Sequence, residues 1–333
     1  MLALRISGFD PKQTSAVFLR HWLASYFRIR SRPLAGTIAS SPAFFATTYI
    51  LMRFHVEIRA GYEIAFQCFQ ETPMVLMLSI EPARVKDLLS EHRIRFSPDV
   101  EPHDYVDMFG NTCTRIVAPP GLIAIRNDFL IADSGLPDAV APDARQLEVG
   151  ELPDDVLTYL LGSRYCETQK LSELAWSLFG AVTPGWQRVQ AICDYAHQRI
   201  SFGYRHARSD RTAWEGHEER VGVCRDFAHL AVTLCRCMSI PARYCTGYLG
   251  DIGVPVDPAP MDFSAWFEVY LDGRWFTFDA RHNHPRIGRV VMARGRDAAD
   301  VAFSTNFGAV QLVRFSVITE EVASSTVRAY RAA

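Results

Sequence analysis

The chain carries almost no net charge, since 35 Lys and Arg stand against 37 Asp and Glu and leave −2. A phosphate backbone would meet no global basic field, so nucleic acid is not expected as a partner. No stretch reaches the roughly 18 to 20 apolar residues that span a bilayer. The longest candidate, Pro42 to Met52, is too short and holds two threonines, so a soluble protein without a membrane partner is expected. Repeats, low-complexity tracts and a dense acidic loop of the EF-hand kind are missing, and no calcium requirement follows. The eight cysteines, at 68, 113, 166, 193, 224, 235, 237 and 245, are irregularly spaced within apolar runs. They read as reduced, buried thiols in a reducing, cytoplasmic setting rather than as a disulfide framework. Cys235 and Cys237 have no second Cys or His pair at zinc spacing, so neither metal nor cofactor is expected.

What is present suffices for a packed core. Hydrophobic residues make up 49% and charged residues 22% of 333, a size at which two globular units are the default. Residues 1–51 stand apart with six Lys and Arg against one acid, Asp10, a net +5, while the remainder carries −7. They read as an unpacked extension or a start-site artefact. Residues 52–155 form a β-rich N-terminal domain and connector. Arg53 to Arg59 alternates with period two, and Phe66 and Cys68, Met74 to Ile80, and Ile94 and Phe96 continue the pattern. One helical interruption is predicted over Glu81 to Glu91, with Val85, Leu88 and Leu89 on one face. His55, His92 and His103 fall on scattered strand or turn positions and read as surface or structural. Prolines and aspartates mark 133–155 as the connector. The third region, 156–333, opens with helical periodicity: Val189, Ile192, Cys193, Ala196 and Ile200 line one face after the Pro184-Gly185 break.

The informative segment is GVCRDFAHLAVTLCRCMSIPARYCTGYLGD, residues 222–251. Gly222 permits a tight turn, Asp226 suits a first helical turn, and Phe227, Ala231, Leu234 and Met238 recur at helical spacing before Pro241. Cys224 thereby falls at a helix N-terminus. The unpaired amides there favour thiolate over thiol, with Arg225 assisting, and they offer donors to an oxyanion. That is a nucleophile's environment. His229, five residues on and about 140° around the helix, cannot readily serve as the thiol's base and reads as structural. Cys245, in a strand, reads as packing.

The runs GVCRDFAHL and IPARYCTGYL, followed by DFSAWFEVYLDGRWFTFDARHN at 262–283, resemble the bacterial transglutaminase-like superfamily, which is related in core fold to papain-like cysteine proteases. The resemblance covers roughly residues 165 to 310. It implies an α+β architecture, with a β-rich N-terminal domain followed by a core in which the Cys-bearing helix packs on an antiparallel sheet. It further implies cysteine-dependent chemistry on a peptide or protein substrate, with the nucleophile at Cys224 and the orienting carboxylate at Asp279. The family's histidine directly precedes Ala-Trp, where this chain has Ser264. A serine hydroxyl cannot take a thiol proton at neutral pH, and a positioned acid–base group is worth about 10² to 10⁴ in rate.

The Asp272-Gly273 pair predicts a hairpin that sets Ser264 nearly opposite Asp279. His282 and His284, just beyond, are either local loop residues or a replacement imidazole, and His217 is an outside candidate. Trp214 and Trp266 read equally as walls of a substrate cleft or as core packing. The arginines of residues 286–297 read as makers of surface pairs. Two functions stay open. One is peptide or isopeptide hydrolysis or acyl transfer through a thioester on Cys224. The other is a catalytically degenerate module that binds a peptide or protein, and Ser264 separates the two.

Overall fold

A computed structural model describes residues 56–259 and 261–322; the expectation for residues 1–51 lies outside them. The β-rich region holds β1 (Val56–Cys68), β2 (Thr72–Leu76), β3 (Arg95–Ser97), β4 (His103–Val106), β5 (Thr112–Ala118) and β6 (Gly121–Asp133). Period-two alternation turns Ile58, Ala60, Tyr62, Ile64 and Phe66 of β1 inward. The predicted helix over 81–91 is only a 3₁₀ turn, Pro82–Asp87, with no buried residue. An apolar face of only three residues cannot sustain an α-helix.

Helices follow the connector: α1 (Thr168–Phe179), α2 (Trp186–Arg199), a parallel bridge between β7 (Ser201–Phe202) and β8 (Val221–Gly222), then α3 (Ala213–Glu219) and α4 (Cys224–Cys237). Val189, Ile192, Cys193 and Ala196 of α2 are buried on the face their spacing selected, and Ile200 caps the helix. Next come β9 (Ala242–Leu249), β10 (Ser264–Leu271), β11 (Arg274–Phe278), β12 (Arg289–Gly295), β13 (Ser304–Asn306) and β14 (Val310–Val322). Three antiparallel four-stranded sheets result, ordered β14-β1-β6-β3, β13-β2-β5-β4 and β11-β10-β9-β12. Among the described residues the last strands therefore pair with the first ones.

The third sheet explains its own sequence. Helix α4 packs on β9 and β10 from one side. From the other side Tyr248, Phe263, Val290 and Met292 enter the same apolar cluster as Ile58, Ile64, Leu76 and Ile123. With both faces covered, strands read as near-continuous apolar runs rather than alternations, as SAWFEVYL does. Helix α4 is enclosed almost all round, with Phe227, Leu230, Ala231, Leu234 and Cys235 at 2% exposure or less. Each large side chain so buried contributes about 1.5–3 kcal/mol.

Of the arginines of 286–297 only Arg296 makes the expected surface pair, with Asp300; the other three are not at the surface. Arg286 and Arg289 are buried, Arg289 pairing with Asp138 and Asp279, and Arg294 pairing with Glu268 and Glu81. A charge taken out of water needs a fixed counter-charge, which these carboxylates supply.

Candidate active site

Cys224 is the first residue of α4, with Val223 as its N-cap. What holds it there is Asp226. Its Oδ2 accepts from the Val223 amide at 2.8 Å and from Arg211 Nη1 at 3.1 Å, so the carboxylate ties down the residue before the thiol. Gly222 is needed for this less as a turn than as a space, because a Cβ there would stand 2.6 Å from both Cβ and Oδ2 of Asp226. At this first turn the Cys224 and Arg225 amides have no earlier helical carbonyl to bond.

The half-buried Cys224 packs beside Tyr244, Ala228 and Ala265. Its Sγ lies 4.0 Å from the Phe263 carbonyl oxygen, which a thiol proton can reach and a thiolate cannot use. The depressed thiol pKa expected from the helix terminus is not found. Burial pushes the Cys224 thiol up to about 11, and Asp262 and Asp279 push the same way. Arg281 and the Ala265 amide pull against them. Arg225, expected to assist, is instead engaged by the carbonyls of Arg208 and Ser209 and by Asp226 Oδ1. The cation that lowers the thiol pKa is Arg281.

The hairpin forms where Asp272-Gly273 predicts, with positive φ at both residues, 49° and 81°. Its register is centred on that pair as expected, but the pairing stops short of Ser264. Leu271 faces Arg274 and Phe267 faces Phe278, so β11 ends before reaching Ser264, which pairs with Gly247 of β9. Ser264 is buried at the start of β10, between the Phe263 carbonyl and Ala265 amide that meet the sulfur. Asp279, one residue past β11, is not its orienting partner. It is buried and turned to His282, whose Nδ1 lies 2.9 Å from Oδ2. Arg289 Nη2 reaches the same oxygen at 3.0 Å, and Oδ1 accepts the amides of Arg281 and His282, each at 3.0 Å. Burial works against this carboxylate, but Arg289 and His282 outweigh it and hold Asp279 below the usual carboxylate range.

The remaining candidates make contacts of their own. Trp266 is fully buried with Cys245 and Val291, under the Arg289 guanidinium at 4.9 Å, so it takes the packing alternative and walls no cleft. Trp214 on α3 is half-buried against the helical core and stacks on His217, which itself bonds to Tyr195 and Glu218. His229 is fully buried on Tyr165, its Nε2 accepting the Ala298 amide at 3.1 Å, and desolvation keeps it neutral. Among the described residues no imidazole hydrogen-bonds to Cys224 Sγ, and no group of residues is arranged to hold a metal. No helix among them is long and apolar enough to cross a membrane.

A cavity of about 180 Å³ borders Asp279 from behind, lined by Asp138, Trp186, Cys193 and His284 among others, and one of about 630 Å³ lies on the first sheet around Tyr62 and Arg126. Cys224 lines neither. Sequence reasoning missed Arg281, Arg289 and Asp138. The last two had one signal, an arginine inside an apolar strand and an aspartate in the connector, which shows charge but not pairing.

Residues 173–280 match the model of the transglutaminase-like superfamily. A crystal structure of a candidate cysteine protease from Cytophaga hutchinsonii is similar at a TM-score of 0.70 and 28% identity, over 81% of this chain and 92% of that one. An uncharacterized protein of Mycobacterium leprae is 34% identical over 87 residues, 24% of this chain and 30% of that protein's length.

Proposed function

We propose that this chain, which carries a transglutaminase-like core, performs cysteine-dependent amide chemistry, acylating Cys224 with a peptide or side-chain carbonyl and releasing the acyl group to water or an amine. The supporting observation is the placement of one half-buried thiol. It lies at the first turn of α4, where the leading amides have no preceding helical carbonyl to bond, and the charges of Asp279 and Arg281 act on it. Amides at a helix start are preorganised donors for the oxyanion that forms when sulfur attacks a carbonyl carbon, and such donors are worth about 10² to 10³ each in rate. A thiol held near 11 is protonated at neutral pH, so attack requires that its proton be taken in the same step.

The elevated thiol also favours the second reading, a degenerate module that binds a peptide or protein and turns nothing over. p-Nitrophenyl acetate separates the two. The enzyme reading expects a burst of p-nitrophenolate with an acetyl group mapped to the Cys224 peptide, absent in Cys224→Ala. A wild type that acylates no faster than Cys224→Ala overturns it and leaves binding. Casein with and without hydroxylamine then distinguishes hydrolysis from acyl transfer.

A further inference from the structure

We infer that His282 is the general base of Cys224, an imidazole supplied from the turn after β11 in place of one at residue 264; this rests on the cysteine-dependent reading above.

Three observations carry it. First, His282 is oriented as a base must be. Asp279 is ionised and accepts only, so the imidazole proton sits on Nδ1, 2.9 Å from Oδ2, and Nε2 keeps its lone pair. Nε2 makes no hydrogen bond among the described residues, and the side chain is 21% exposed.

Second, the turn is built, not loose. The Asn283 amide closes it onto the Asp279 carbonyl at 2.7 Å, and His197 Nδ1 holds the carbonyls of Ala280 and Arg281 at 3.1 and 2.9 Å. The Asn283 side chain is fixed by Gln190 and Asp194 of α2. A local loop histidine needs none of this support. A base needs all of it, because its nitrogen must stay within hydrogen-bond reach of the reacting proton.

Third, the turn leaves the sheet at the edge where the sulfur docks. β11 runs antiparallel to β10 and ends with Phe278 opposite Phe267, so the turn that follows begins at the end of the sheet where β10 starts, next to Phe263 and Ala265. Ala265 and Phe263 are the residues whose amide and carbonyl meet Cys224 Sγ. Asp279 and Arg281, on either side of this turn, act electrostatically on the same sulfur.

In the step this assigns, Nε2 takes the thiol proton as sulfur bonds to the carbonyl carbon and the π pair moves to oxygen. Collapse breaks the C–N bond, and the imidazolium proton goes to the leaving nitrogen. Water then gives a proton to Nε2 as it attacks the thioester, and the departing sulfur takes that proton back. The charged groups facing the pair are Asp262, Arg281 and Asp279, with Arg289 behind Asp279 and His284 beside His282.

The test is the rate of Cys224 alkylation by iodoacetamide in the full chain, read on the Cys224 peptide by mass spectrometry from pH 6 to 11. Wild type is expected to exceed His282→Gln by about a hundredfold or more at pH 7, the low end of what a positioned base supplies. The two should converge as pH nears the thiol's own value. Adding Ser264→His to His282→Gln should restore the rate. Equal rates for wild type and His282→Gln at pH 7 overturn the assignment.

Should His282→Gln not fold, histidine-labelled NMR of wild type decides. An Nδ1-protonated His282 whose titration moves on alkylation of Cys224 supports the assignment, and a titration indifferent to alkylation overturns it. Failure of Cys224→Ala to reduce acetyl ester turnover would sink the functional reading instead, whatever His282 does.

Discussion

Arg289 Nη2 lies 3.0 Å from Asp279 Oδ2, with both side chains buried, and the same guanidinium reaches Asp138 at 3.0 Å through Nε. One cation thus ties strand β12, the end of the hairpin and the connector together, and it keeps ionised the carboxylate that orients His282.

Removing that cation strands two buried or nearly buried carboxylates. Arg289→Met is expected to cost about 3–5 kcal/mol, as for a broken buried pair, seen as a lower urea midpoint at unchanged slope. The sign with pH follows from Asp279. Its folded pKa is depressed, so its contribution is complete above the unfolded carboxylate value and is lost only as pH falls through the folded one. Wild type should therefore show no Asp279-linked loss between pH 5 and 8, whereas the acid limb of Arg289→Met should move upward. A midpoint within experimental error of wild type would refute the role given to Arg289.

Ser264 is expected to be dispensable. Its side chain has no hydrogen bond to Cys224 or Asp279 among the described residues, and its backbone is paired with β9. Ser264→Ala should leave the Cys224 alkylation profile unchanged. A rate drop of tenfold would show the hydroxyl acting in the site after all.

The thiol's position depends on the fit of Gly222 against Asp226. Gly222→Ala forces a Cβ into the capping carboxylate, and Asp226→Ala removes the cap and leaves Arg211 buried without it. Each should cost about 1–3 kcal/mol, the range for a lost cap or an unpaired buried group. The double variant should cost much less than the sum of the two, since both act on one contact. Thermal unfolding of the four proteins measures this, and full additivity would disprove the shared mechanism.

His229 should make stability depend on pH. Desolvation lowers its folded pKa well below the ordinary value, so below about pH 6.5 the unfolded chain binds a proton that the native one refuses. Stability then falls as pH falls, by about 1.4 kcal/mol per unit for one such group. His229→Gln should reduce the slope of unfolding free energy between pH 6.5 and 5 by about that amount, whatever it does to stability at pH 8. An unchanged slope would mean that His229 is protonated in the fold.

Much of this chain is written locally. The period-two runs of β1, the helical face of α2, the Asp272-Gly273 hairpin, the thiol at the start of α4 and the serine before Ala265-Trp266 all follow from residues a few positions apart, because turn chemistry and periodicity are short-range. Other features required the third dimension. The direction of Asp279 toward His282, the pairing of Arg289 with an aspartate 151 positions away, the burial of Trp266 and the upward shift of the thiol arise between distant segments. Desolvation and charge pairing depend on which segments pack together, and sequence spacing carries no record of that.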